Sequence, residues 1–207
     1  MFKNKDFYGV NIDQKNADIY CSWGDNRKNG AKACYYLKRK ISKKFYNFNK
    51  VNKNLIISYV FNEAQSKMPN GFISGSKVNQ ITLKNINVFL KYLKKDLNFY
   101  SKILDESANS TIDYKIDCKK LDTKKNFIDV ADNFNLSVHF FVGTPFLEAL
   151  AKNKPAIVVF QKELYWQFDA QFSKFINLFF KNKIFFSTSK QASVFLNKDY
   201  QILDKWW

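Results

Sequence analysis

From residue 136 onward the chain changes its period every few residues. LSVHFFV (136–142) is a short apolar run, PFLEALAKN (145–153) steps by three and four, and AIVVF (156–160) is again continuously apolar. FDAQFSKFINLFFKN then brings Phe168, Phe172, Phe175, Ile176 and Phe179 onto one helical face, with Asp169 as its cap. IFFS (184–187) and KQASVFLNK (190–198) give the strand and the helix once more. Strand, helix, strand, helix, strand, helix with short connections predicts a parallel sheet carrying helices on both faces.

The upstream part is read in the same way. ADIYCSWG (17–24) predicts a short strand ending at a glycine turn, and LIISYVFN (55–62) a buried strand with β-branched and aromatic residues. Between them, AKACYYLKRKISKKF places Ala33, Tyr36, Leu37 and Ile41 on a helical face. Residues 64–80, with Pro69, Gly71 and Gly75, read as a long loop. A helix is predicted from Thr82 as N-cap, its face built by Ile86, Phe89, Leu90, Leu93, Leu97, Tyr100 and Leu104. Lys84, Lys91, Lys94, Lys95 and Lys102 form its solvated side. TIDYKI (111–116) alternates as a strand does. The expected fold class is α/β, a Rossmann-like parallel sheet flanked by helices. Residues 1–50 are expected to be the remnant of an N-terminal domain or an extension, and residues 51–207 the Rossmann-like domain.

Composition narrows the function classes. Hydrophobic residues make up 46% of the chain and phenylalanine occurs 22 times, enough for a real core. No apolar run approaches the roughly 18 residues of a spanning helix, and the N-terminus lacks the apolar centre of a signal peptide. Three cysteines, Cys21, Cys34 and Cys118, follow no metal or disulfide spacing and read as free thiols of a cytoplasmic protein. With one histidine and no CxxC pair, a metal site is not expected. The formal charge of +16 raises a basic nucleic-acid-binding protein as one alternative. Against it, the only arginines are Arg27 and Arg39, so the bidentate forks of base recognition are scarce and the lysines are spread along the chain.

In an open parallel sheet, ligands sit at the carboxyl ends of the strands. Gly143 and Thr144 fall at such an end, between the strand of 136–142 and the helix of 145–153. Glycine lets the backbone approach a ligand closely, Thr144 can cap the helix, and Pro145 suits its first turn. Unpaired N–H groups and the helix dipole there favour an anion such as phosphate. Glu148, one turn further in, can accept hydrogen bonds from sugar hydroxyls. A helix start of this composition also occurs with no ligand at all. Tyr165 and Trp166 can stack on a base or sugar, or pack on the phenylalanine-rich helix that follows them. His139 is the only imidazole available for proton transfer, although its strand reads as buried. Asp25 can serve as a base, and Arg27 in the turn Gly24-Asp25-Asn26-Arg27-Lys28 can meet a diphosphate.

Gly143-Thr144-Pro145-Phe146-Leu147-Glu148, then Lys154-Pro155, Phe160, Tyr165-Trp166-Gln167 and the closing Trp206-Trp207, with Trp23-Gly24 upstream, form an ordered series. The series resembles the C-terminal nucleotide-sugar-binding half of a GT-B glycosyltransferase. More narrowly it resembles transferases found in bacterial surface-carbohydrate gene clusters. Phe140, Val142 and Pro145 stand where those relatives carry polar residues, and Gln167-Phe168-Asp169 replaces Glu-Leu-Arg. The resemblance implies transfer of a sugar from a nucleotide-activated donor to a glycan acceptor, with the nucleotide-sugar as co-substrate and no separate cofactor. It implies His139 and Asp25 as catalytic candidates and Gly143, Thr144, Glu148, Tyr165, Trp166 and Arg27 as donor-binding residues. A cytoplasmic protein, peripheral at the inner membrane, is the matching location. A GT-B enzyme takes two domains and about 350 residues, so the alternative is a non-catalytic or partner-dependent half-enzyme that needs a second protein chain.

Overall fold

A computed structural model describes residues 21–22, 32–33, 54–59, 75–94, 97–103, 119–120, 127–161, 170–198 and 200–207. The chain divides into two compact units, Met1–Ile41 and Ser42–Trp207. In the first, β1 (Cys21–Ser22) and β2 (Lys32–Ala33) pair in parallel, with Cys21 opposite Lys32. Ala33 therefore stands in a strand and not on the helical face expected of it.

The second unit is built on a six-stranded sheet of β3 (Asn54–Tyr59), β4 (Asn98–Ile103), β5 (Lys119–Lys120), β6 (Leu136–His139), β7 (Ala156–Val159) and β8 (Phe185–Phe186). Every pairing is parallel, and the spatial order is β5-β4-β3-β6-β7-β8. The chain moves outward from β3 through β4 to β5. It then returns to the centre and moves the other way through β6, β7 and β8. As a result β3 and β6 lie side by side, with Leu55 opposite Leu136 and Ser58 opposite His139. This is the order of a doubly wound Rossmann sheet, and the β3/β6 boundary is its switch point.

Two layers of helix cover the sheet. On one face lie α1 (Gly75–Lys91), α5 (Ser189–Leu196) and α6 (Tyr200–Trp206). Ile86, Phe89, Ala192, Phe195, Leu196 and Leu203 pack there on Leu136, Val138, Ile157, Val159 and Phe186. On the other face lie α2 (Phe127–Val130) with the 3-10 turn Ala131–Asn133, then α3 (Thr144–Ala151) and α4 (Ala170–Lys181). Phe127, Phe134, Phe146 and Ala149 pack there on Ala156, Val158 and Phe185. Successive strand residues alternate between the two clusters because strand side chains have a period of two. Both sides are covered, so β6 and β7 are buried at every position. Among the described residues no helix is long and apolar enough to cross a membrane.

The structure departs from the sequence reading most at the first long helix. It begins at Gly75, inside the stretch read as loop, and ends at Lys91. Thr82 is buried in its interior and is not a cap. Leu97 closes the turn after it, and Tyr100 belongs to β4. The three-and-four spacing continued across the boundary by coincidence. Pairing of Asn98–Ile103 with all six residues of β3 satisfies backbone groups that a longer helix would have satisfied internally. Within α4, Phe175 is 56% exposed and Phe180 packs on the core in its stead. The short α2 and the terminal α6 were not expected. The alternating segment TIDYKI and Leu104 lie outside the described residues.

Candidate functional site

Because all six strands run in one direction, their carboxyl ends lie at one edge of the sheet. At the switch point that edge carries the end of β6 and the start of α3. His139 ends the strand, Phe140 to Val142 leave it, and Gly143 is the N-cap of α3, with extended backbone (φ −134°) and no side-chain cap. Thr144 is thus the first helical residue and not the cap, and Pro145 occupies the first turn. The Gly143 carbonyl accepts from Phe146 N at 3.1 Å and Leu147 N at 3.3 Å. The N–H groups aimed outward are then few, since Pro145 has none. The exposed Thr144 hydroxyl stands beside them. Thr144 and Glu148, four apart, share one helix face, and Glu148 is half-buried. The dipole at this end favours negative charge.

At Gly143 the constraint on a side chain is space and not φ. A Cβ there would come within 3.2 Å of Phe141 Cδ1. Phe141 is itself 42% exposed, a large aromatic face at the mouth of the switch point.

His139 points into the core beneath α3. Its imidazole is buried between the rings of Phe127 and Phe146, at centroid distances of 5.5 and 5.7 Å. Its Nε2 lies 2.8 Å from Ser137 Oγ, and that hydroxyl reaches Pro155 O at 3.5 Å. With the hydroxyl hydrogen directed to the carbonyl, the ring proton belongs on Nε2. Desolvation by burial pushes the His139 pKa down to about 3, so the ring is neutral at physiological pH. These surroundings are those of the core histidine that the buried strand implied.

Gln161, just past β7, escaped the sequence reading. Its Nε2 donates to Phe140 O at 3.2 Å and ties the carboxyl ends of β6 and β7 together. Its side chain is 4% exposed, yet Oε1 has no hydrogen-bond partner among the described residues. A glutamine after an apolar strand carries no sequence signal. Only the strand order reveals that it borders the switch-point loop. Asp25, Arg27, Tyr165 and Trp166 lie outside the described residues.

The terminal tryptophans sit at the opposite edge, where turns enter the strands. Trp206 Nε1 donates to Asn182 O at 2.7 Å, in the turn before β8. Trp207 Nε1 donates to Asn153 Oδ1 at 3.2 Å, in the turn before β7. A groove of about 630 Å³ lies at a third place, along the outer edge of β8 between α4 and α5. Lys183, Lys190 and Lys198 rim it. The Lys183 and Lys198 ammonium groups stand 6.0 and 5.5 Å from the Phe195 ring centroid. Lysines along a two-residue edge strand discourage pairing with another chain.

The chain matches the family model described as LIC12162 family transferase over residues 4–207, and it belongs to that family. No curated protein and no solved structure matches it.

Proposed function

We propose that this LIC12162 family transferase carries a sugar from a nucleotide-activated donor to a glycan acceptor in surface-polysaccharide synthesis, with the donor at the carboxyl edge of β6. The observation that supports this most is the strand order, which sets Gly143 and Thr144 beside the β3/β6 switch point, where open α/β sheets take their ligands. The positive end of α3, with the Thr144 N–H and hydroxyl, would hold donor phosphate and stabilise the nucleotide as it leaves. Glu148, on the same face one turn on, would accept from donor hydroxyls. Phe141 would offer an apolar wall. The sequence offers Tyr165 and Trp166 for stacking on a base or sugar, Arg27 for a diphosphate and Asp25 as a base. His139, neutral and enclosed, braces the strand end beneath the loop.

Calorimetric titration with UDP, GDP, CDP and CMP tests the reading, with Glu148→Ala as the comparison. Saturable binding of one nucleotide, weakened in the variant, is the expected result. A folded chain that binds none of the four removes the proposal. A second reading is a nucleotide-binding half-enzyme completed by another protein chain or by the membrane surface. The observation that favours it is the enclosure of the only imidazole. It predicts nucleotide binding with no consumption of the matching nucleotide-sugar by the chain alone.

A further inference from the structure

Gln161 joins the ends of the two strands that follow the switch point, and its amide cannot be turned over. Were the oxygen to face Phe140 O, two acceptors would meet, so Nε2 must take that contact and Oε1 is left without one. A buried amide oxygen left without a donor costs free energy, and native proteins rarely keep one without a reason. The unpaired oxygen lies at the carboxyl edge, on the residue after Phe160, and its amide rests on the backbone three residues before the N-cap of α3. A transferase gains from such an acceptor when a ligand supplies the missing donor. The group recognised must then present an O–H or N–H, because an anionic oxygen would meet the amide oxygen's own negative end.

We propose that Gln161 is a ligand-recognising residue whose Oε1 accepts a hydrogen bond from a hydroxyl or N–H of the bound nucleotide-sugar. This rests on the donor-site reading given above. The α3 start would hold charge, and Gln161 would read the neutral part of the same ligand.

The test is Gln161→Met, which keeps the length and removes both polar atoms. UDP, GDP and CDP are titrated together with UDP-glucose and GDP-mannose, and melting temperatures are recorded without ligand. The free variant is expected to melt close to the wild type, because the loss of the Phe140 contact is offset by removal of a buried unpaired acceptor. Its affinity is expected to fall about tenfold, the worth of one well-placed hydrogen bond. An equal fall for diphosphate and sugar nucleotide puts the donor on the nucleoside; a fall for the sugar nucleotide alone puts it on the sugar. In the wild-type chain the Gln161 side-chain amide resonances should shift during the same titration. Unchanged affinity in Gln161→Met, or amide resonances that stay still at saturation, overturns the role of Gln161 and leaves the donor site standing. A marked drop in melting temperature with no change in affinity shows the oxygen to be satisfied in the free protein and also overturns it. A wild-type chain that binds none of the nucleotides removes the donor-site reading and this inference with it.

Discussion

His139 shows how one side chain sets a condition on the whole fold. The folded chain holds its pKa near 3, whereas an unfolded histidine titrates near 6.5. The folded pKa is therefore depressed below the unfolded one. Below pH 6.5 the unfolded chain binds a proton that the folded chain refuses, so stability is whole above that pH and falls as the medium is acidified. One proton is worth about 1.4 kcal/mol per pH unit in this window. Urea unfolding between pH 7 and 5 should show that slope in the wild type and a flatter one in His139→Gln. Equal slopes would mean that the imidazole is hydrated in the folded protein. Gly143 makes a different demand. In Gly143→Ala the new methyl meets the Phe141 ring at about the distance where the ring must give way. Phe141 is exposed enough to swing, so the expected stability loss is below about 1 kcal/mol. Under the proposed donor site, nucleotide affinity should fall more than stability does, because the displaced ring borders the loop before α3. The burial of His139 was legible from its apolar strand; its ring neighbours and the space around Gly143 were not. The sequence marked His139 and Gly143 as candidates, but their neighbours Phe127, Phe146 and Phe141 became known only from the packing.

At the scale of elements, the helix ends explain much of the order around the sheet. After α3, Lys154 N reaches back to Ala149 O and Asn153 N to Leu150 O, both at 2.9 Å. After α4, Ile184 N bonds Phe179 O at 2.9 Å and Lys183 N bonds Phe180 O at 3.1 Å. Both are Schellman turns, whose penultimate residue must adopt positive φ. Asn153 at 53° suits that region, while Lys183 at 56° does not. Lys183→Gly should therefore stabilise the chain by about 1 kcal/mol, measured by thermal or urea unfolding; a loss of stability would show that the lysine stem contributes more over Phe195 than the backbone loses. α5 is held to α1 by a polar stripe four residues apart. Ser189 Oγ meets Asn85 Oδ1 at 3.4 Å, Ser193 Oγ donates to Phe89 O at 2.7 Å, and Asn197 Nδ2 donates to Tyr92 O at 2.8 Å. Ser193 and Ala192 are small and fully buried, so the two helices approach closely. Periodicity located both helices. It could not tell that these polar positions face a neighbour and not water.

Across the whole second unit, the two edges of the sheet divide the work. The carboxyl edge carries the candidate site. The amino edge is closed by Trp206 and Trp207, which tie the last helix to the turns that enter β8 and β7. Trp206→Phe keeps a ring against Phe195 and loses the bond to Asn182 O. It should cost about 1 kcal/mol in urea unfolding and leave nucleotide affinity unchanged. A variant that unfolds no more easily but binds less well would mean that the tryptophan pair serves the site. The two indoles were read in the sequence only as part of a family resemblance, and their structural task follows from where they land. What the sequence by itself determined is the class of fold and the place of most elements from Leu136 onward. From Leu136 onward apolar runs and three-and-four spacings state which segments are strands and helices, and Gly143-Thr144-Pro145 states where one helix begins. The tertiary structure alone decided the strand order, the length of α1 against β4, which rings enclose His139 and the place of Gln161. Each of these depends on contacts between segments far apart in the chain, and a periodicity within one segment carries no record of its neighbour.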